Sequence, residues 1–252
     1  MENVDKYLRG SFQTTEGWCI PQLWQTIQPL YQCVQAAGGD GPVAEIGVYH
    51  GKFFIGLVKT VGEMKPNYAI DVFDLQQYNL DGAGKGNLEK FKVNLGNAEV
   101  ALDQVEFLKT DSMWLNHIDI QGIRARSGGF SMFSVDGCHL AEHTLNDMEI
   151  ASQLVKPQGL IFVDDYYNSD WPGVQEGVAK HFLMRNSRFV PLAYTCNKLI
   201  LCNLSFHQTY LVALSSFVEA NFPGTRIKKV KRFGYDTVNV HPNFRSGANV
   251  AL

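Results

Sequence analysis

Short apolar runs that stop abruptly at acidic or glycine-rich positions recur along this chain, with helical periodicity between them. Val43 to Val48, Asn67 to Val72, Val105 to Leu108, Phe130 to Val135 and Leu160 to Val163 each read as a buried strand. Within Pro21 to Ala37, the residues Leu23, Trp24, Ile27, Leu30, Tyr31 and Val34 recur at helical spacing. Pro21 suits the first turn, and Gly38-Gly39-Asp40-Gly41-Pro42 ends the helix. Asn87 to Leu95 and Val174 to Met184 are further helices, and a crossover helix follows Asp136 and stops at Lys156-Pro157-Gln158-Gly159. Phe189 to Tyr194 and Lys198 to Cys202 read as a β-hairpin around Thr195-Cys196-Asn197, and Phe206 to Phe222 as a closing helix. Residues 1–20 are expected to form a surface loop, and the basic run Arg226, Lys228, Lys229, Lys231 and Arg232 a solvated strand or loop. The last dozen residues are expected to fray. Strands alternating with helices and closing on an antiparallel hairpin predict the α/β class with a mixed sheet.

The chemistry collects where the strands end. Phe130 to Val135 runs into Asp136, and Leu160 to Val163 runs into Asp164 and Asp165, with Asp164 28 residues after Asp136. Parallel strands joined by a helical crossover put their C-terminal ends on one edge of the sheet, where open α/β sheets bind ligands. Three carboxylates gathered there repel one another unless a cation joins them, and an all-oxygen set suits magnesium, calcium or manganese. The bland alternative is that one or two of these aspartates only cap helices or end strands.

The first strand leads into Glu45-x-Gly47-x-x-x-Gly51, with Tyr49 between the glycines. Glycines there permit a tight turn and close approach of backbone to a ligand ahead of a helix N-terminus. A P-loop requires GxxxxGK followed by Ser or Thr, and Gly47 to Gly51-Lys52-Phe53 is one residue short. A GxGxxG dinucleotide turn fails at Tyr49. An acid on the strand followed by GxxxG is the pattern of S-adenosylmethionine (SAM) binders. Gly82 to Gly86, GAGKG, lacks the strand before it and the Ser or Thr after it, and reads as a flexible loop. Asp71 ends the second strand, where an acid can accept both ribose hydroxyls of a nucleoside. Its competitor Asp74 reads as a turn cap. Asp111 and Ser112 end the third strand, able to meet an adenine edge or to cap the next helix.

Length and composition narrow the class. The 252 residues, 45% of them apolar, fit one α/β domain with extensions, and a net charge of −3 does not suggest a nucleic-acid binder. Five cysteines without CxxC spacing read as reduced thiols of an intracellular protein. Without an apolar signal core or a membrane-length apolar run, a cytoplasmic protein with no membrane partner is expected. The sequon Asn203-Leu204-Ser205 carries no weight in that setting.

Taken in order, Glu45/Gly47/Gly51, Asp71, Asp111-Ser112 and Asp136 resemble the motifs of class I SAM-dependent methyltransferases over roughly residues 40–203. The hairpin resembles that family's reversed seventh strand. The resemblance implies a Rossmann-like, seven-stranded, mostly parallel sheet with helices on both faces, and SAM bound by Glu45, Gly47, Tyr49, Gly51, Asp71, Asp111, Ser112 and Asp136. The stretch from Val135 to Val178 is similar to the metal-dependent O-methyltransferases that act on sugars of macrolide and aminocoumarin antibiotics, and their relatives. That likeness implies magnesium, or another divalent ion, on Asp136, Asp164 and Asp165. It also implies His139 as general base, since Cys138 stands where other members carry the basic aspartate. The bland role for His139 is a helix-start histidine bonded to a carbonyl.

The expected activity is methylation of a hydroxyl on a small natural product, a sugar among the candidates. A catechol-type O-methyltransferase and a non-catalytic SAM-fold binding module are the alternatives. A P-loop-like nucleotide hydrolase is disfavoured by the spacing failures above. His139, His143 and Asp147 share a helical stripe, but zinc lacks an identified third ligand. His50, after the glycine turn, is open to a ligand-facing or a structural role. Residues 1–39 are expected to form an N-terminal loop and helix, with Trp18 and Trp24 serving a substrate lid or a homo-oligomer interface. Residues 40–203 are expected to form the cofactor domain, and 204–252 a helix and basic tail packed on it.

Overall fold

The computed structural model describes residues 2–184 and 186–242. Its helices are α1 (Glu2–Arg9), α2 (Trp24–Ala36), α3 (Lys52–Val61), α4 (Leu88–Asn97), α5 (His117–Ser127), α6 (Ala141–Leu154), α7 (Pro172–Met184) and α8 (His207–Asn221). The strands are β1 (Val43–Ile46), β2 (Asn67–Asp71), β3 (Val105–Lys109), β4 (Phe130–Val135), β5 (Val155–Val163), β6 (Phe189–Thr195), β7 (Lys198–Asn203), β8 (Arg226–Arg232) and β9 (Tyr235–His241). They form one sheet in the order β3-β2-β1-β4-β5-β7-β6-β9-β8. β3, β2, β1, β4 and β5 are mutually parallel, and β7 runs antiparallel to both β5 and β6.

The Rossmann-like class holds, with a correction in number: among the described residues nine strands stand where seven were expected. The extra two come from the basic tail: the run expected as a solvated strand or loop is a strand, β8, and it pairs with β9 in a hairpin that joins the sheet. β9 pairs parallel with β6, while Val238 and Val240 bury their side chains. β8 is the outer edge, and Lys228, Lys229 and Lys231 stay exposed along it. Lysines on an edge strand oppose pairing with another chain. The expected frayed end lies outside the described residues from 243 onward.

Alternation along the strands feeds two cores. Leu160 and Phe162 enter the one shared with α1, α2, α3, α4 and α8, while Ile161 and Val163 enter the one shared with α5, α6 and α7. Residues 1–20 are a second correction. Val4, Tyr7 and Leu8 lie on one face of α1 and are buried, and Phe12 follows them inward. Their spacing of three and four is that of a helix face, hidden by the polar residues between them. Among the described residues no helix is long and apolar enough to cross a membrane.

Candidate active site

The strand order reverses between β1 and β4, and the crevice opens at that point, as the doubly wound topology requires. A cavity of about 530 Å³ lies there, within the range of small-molecule sites. Its wall brings together Glu45, Gly47, Tyr49, Asp71, Asp111, Ser112, Asp136, His139, Asp164 and Asp165. Gly51 and His50 lie behind it. Gly51 takes φ 87° and presses on Phe91, where an added Cβ would come within 2.4 Å of the ring. His50 is buried, stacked on Tyr49 and within 2.9 Å of Glu16.

The glycine turn is dictated by how closely β1 and β4 exit together. Gly47 has φ 86°, and a Cβ there would stand 1.8 Å from the Asp136 carbonyl oxygen. Only glycine satisfies both the left-handed backbone and that approach. Asp71 turns its carboxylate toward the same turn and accepts the Tyr49 amide at 2.7 Å and the Phe73 amide at 2.5 Å. Each carboxylate oxygen keeps a second lone pair for a further donor. Asp111 accepts the Met113 amide at 2.9 Å, so its carboxylate caps the short turn while Asp111 and Ser112 line the cavity. Asp74 is outside the wall and pairs with Lys109 at 2.6 Å.

Electrostatically the edge is crowded with acid. Glu45 is buried, its Oε1 has no partner among the described residues, and burial pushes its pKa up to about 8 against the pull of Lys198 and Ser134. Asp136 is held well above the ordinary carboxylate range by burial and by Asp164 beside it. Asp164 is engaged on both carboxylate oxygens. Lys198 Nζ donates to its Oδ2 at 2.5 Å, and the Asp165 amide donates to Oδ1 at 2.9 Å. The same ammonium stands 3.6 Å from Asp136.

His139 is held on both ring nitrogens. Nδ1 lies 2.6 Å from Asp81 Oδ2, which also accepts the His139 amide at 2.8 Å, and Nε2 lies 3.1 Å from Asp165 Oδ2. Trp171 stacks on the ring at a centroid distance of 4.3 Å. Burial alone would lower the imidazole pKa, but the hydrogen bonds to Asp165 and Asp81 outweigh it and push it up to about 9. Asp165 adopts φ 55° and takes further bonds from Asn168 at 2.8 Å and Asn197 at 2.5 Å.

One atom each of Asp136, His139 and Asp165 lie within 4.8 Å of one another, the spacing of a small cation site. The donors suit a hard or borderline divalent ion. The charge count suits one too: Asp81, Asp136, Asp164 and Asp165 face two cationic groups, Lys198 and His139, and Asp136 shares Lys198 with Asp164 at the longer distance of 3.6 Å. The expected set Asp136, Asp164 and Asp165 is thus adjacent in space, with Asp164 engaged by Lys198. His143 lines the cavity, while Asp147, one turn on, is buried behind it.

Sequence reasoning missed Lys198, Asp81, Asn197 and Trp171. Lys198 was legible in the strand register: Val163 pairs with Leu199, so the next step sets Asp164 opposite Lys198. Asp81 carried no such signal. It sits in the loop ahead of α4, where Asn79 holds the Ala83 carbonyl at 2.8 Å and Asp81 Oδ1 accepts the Ala83 amide at 2.9 Å. The loop read as flexible is therefore fastened to His139.

Known proteins bear on this geometry. Residues 44–166 match the family model described as a methyltransferase domain. No curated protein matches the chain. Among solved structures, the fold is similar to that of the O-methyltransferase NovP, at 15% identity and a TM-score of 0.58 over 79% of this chain and 97% of that one. It is similar to CalS11, described as a TDP-rhamnose 3'-O-methyltransferase of calicheamicin biosynthesis, at 14% identity and a TM-score of 0.53 over 79% and 86%. An O-methyltransferase from Bacillus cereus in complex with SAH follows at 14% identity and a TM-score of 0.51, over 80% and 90%. At such identities the likeness is one of fold, and it is the same switch-point fold that gathers Gly47, Asp71 and Asp136 here. The chain thus carries a match to a methyltransferase domain over its parallel half, within a fold similar to that of these O-methyltransferases.

Proposed function

We propose that this enzyme methylates a hydroxyl oxygen of a small natural product, a sugar hydroxyl being the favoured acceptor, with help from a divalent cation. The observation that carries the reading is the position of His139: on the wall of the cavity that holds the SAM-type turn, pinned by Asp81 and beside Asp136 and Asp165. NovP, named as an O-methyltransferase, supports transfer to oxygen, and CalS11, named as a TDP-rhamnose 3'-O-methyltransferase, supports the sugar class.

Transfer from a sulfonium requires the acceptor oxygen close to the methyl carbon, in line, and relieved of its proton. The Gly47 turn gives the cofactor's chain room against β1, and Asp71 has free lone pairs for ribose hydroxyls. Asp136 and Asp165, with His139 beside them, would hold a magnesium-type ion. When bound, that ion would lower the pKa of the acceptor hydroxyl and set its direction. His139 Nε2 would take the proton while Asp81 holds Nδ1 and fixes the ring. Between two carboxylates the ring is an imidazolium, so it must shed its own proton before it can serve as base. Neutralising Asp165 removes one of its two anchors and favours that loss.

Calorimetric titration of SAM into the wild type and Asp71→Asn, followed by an acceptor screen with mass-spectrometric product detection, tests this. SAM binding weakened at least tenfold in the variant, with methylated product from a nucleotide-linked sugar, is the expected result. Product from a catechol and none from any sugar would move the acceptor class. SAM binding without transfer to any acceptor would make the chain a binding module.

A further inference from the structure

Lys198 has no part in the chemistry above, yet it is the cation nearest the carboxylates. It is 2% exposed and is the first residue of β7, an interior strand between β5 and β6. Its Nζ is 2.5 Å from Asp164, 3.6 Å from Asp136 and 4.2 Å over the centre of the Phe53 ring. Phe53 is itself wedged edge-on against Phe162 at 5.8 Å. Lys198 pairs with Thr195 across the hairpin, which fixes its backbone, and its burial against Asp164 and Phe53 keeps the ammonium from solvent. A buried ammonium tolerates this only beside carboxylates, and a buried carboxylate only beside a cation. The two are therefore committed to each other before any ion arrives.

We propose that Lys198 is a tethered cation that competes with the divalent ion for the strand-end carboxylates. It keeps Asp164 out of the ligand set and leaves the ion Asp136 and Asp165, with His139 beside them as the base. This rests on the cation site proposed above and adds that the site is held weak. A divalent ion entering beside a fixed ammonium meets repulsion as well as attraction, and finds one carboxylate fewer than the sequence provides. The ammonium also keeps the carboxylates ordered, because Asp164 is satisfied whether or not an ion is present. A purely structural ion pair would stabilise β5 against β7 and leave ion affinity untouched.

The full chain as wild type, Lys198→Met, Lys198→Gln and the double variant Lys198→Met/Asp164→Asn would be titrated with magnesium alone by calorimetry. SAM titration and a thermal melt on each serve as fold controls. Lys198→Met should bind magnesium at least tenfold more tightly than wild type, and the double variant should lose that gain, returning to within about threefold. Lys198→Gln, which can still donate to Asp164, keeps the test alive if the methionine variant fails to fold, and should show a smaller gain. Unchanged or weaker binding in the single variants would overturn the proposal. So would a gain that survives Asp164→Asn, since Asp164 would then not be the freed ligand. If neither wild type nor variants bind magnesium, Lys198 guards no ion site; SAM binding in the same samples would leave the methyltransferase reading standing.

Discussion

The parallel and antiparallel halves of the sheet carry opposite charge. The parallel half, β3-β2-β1-β4-β5, ends in Asp71, Asp111, Asp136, Asp164 and Asp165, with Glu45 buried inside β1 and Asp147 behind β4. The antiparallel half contributes Lys198 to that edge, buries Arg232 against Tyr167 and Tyr194, and spends Arg226, Lys228, Lys229 and Lys231 along the rim. The acidic half holds carboxylates in low dielectric without enough partners, which is costly, and the basic half sets one buried cation, Lys198, against them to offset part of it. Functional sites accumulate such unpaired groups because a ligand completes them. On the reading proposed above, the chemistry lies in the parallel half, and Lys198 of the other half sets how strongly a cation would be drawn there.

The sharpest way to break this comparison is to remove the group on the acidic edge assigned to proton transfer. His139→Ala should lower kcat by about 10²- to 10⁴-fold, the usual worth of general acid-base catalysis, while SAM binding stays within a few-fold. Equal loss of SAM affinity would make His139 a structural residue. Asp81→Asn is the companion test of positioning. It keeps the loop's Asx turn but weakens the hold on Nδ1, so kcat should fall about tenfold with KM little changed. A shift in KM alone would mean that Asp81 serves the acceptor pocket instead.

Stability separates the halves next. Phe162 lies in β5 at the centre of the sheet, fully buried against Phe53, and Phe162→Ala should cost about 3–5 kcal/mol in denaturant unfolding. Val238 in β9 is equally buried but belongs to the added hairpin, and Val238→Ala should cost about 2 kcal/mol. If the two unfold the chain equally, β8 and β9 are as integral as the parallel core. An early, separate transition in the Val238 variant would mark the hairpin as its own unit.

Much of the acidic half was legible because its residues obey strong local rules. A buried strand that ends on an acid, or on glycines before a helix, says where in the fold that residue goes. Glu45, Gly47, Asp71, Asp136 and Asp165 stand where such runs put them. Tertiary pairings leave no mark of that kind. The Asp81–His139 bond spans 58 residues and depends on how one loop folds over another. β8 was obscured because its charged side chains suit an edge strand and a solvated tail alike, and only pairing with β9 distinguishes them. α1 was obscured because its few apolar residues, set among polar ones, form a helix face only once α3 is there to receive it.

The smallest effect concerns a buried acid the chemistry does not use. Asp147 on α6 is buried, and its Oδ2 has no partner among the described residues. Burial raises its pKa from 3.8 to about 7, against weaker help from Ser112 and Asn146. The folded value is the higher one, so this side chain's contribution is fully present below about pH 4, where both states hold the proton. It is lost as pH rises to about 7, because the unfolded chain ionises first, and it is constant beyond. A neutral amide at this position would not titrate. Asp147→Asn should therefore gain stability relative to wild type on going from acid to neutral pH, by on the order of 1–2 kcal/mol once water penetration is allowed for. Urea midpoints across that range would show the two curves diverging upward. Parallel curves would mean that Asp147 finds a cationic or hydrogen-bonding partner in solution, and the acidic half would then be less starved of counter-charge than its interior suggests.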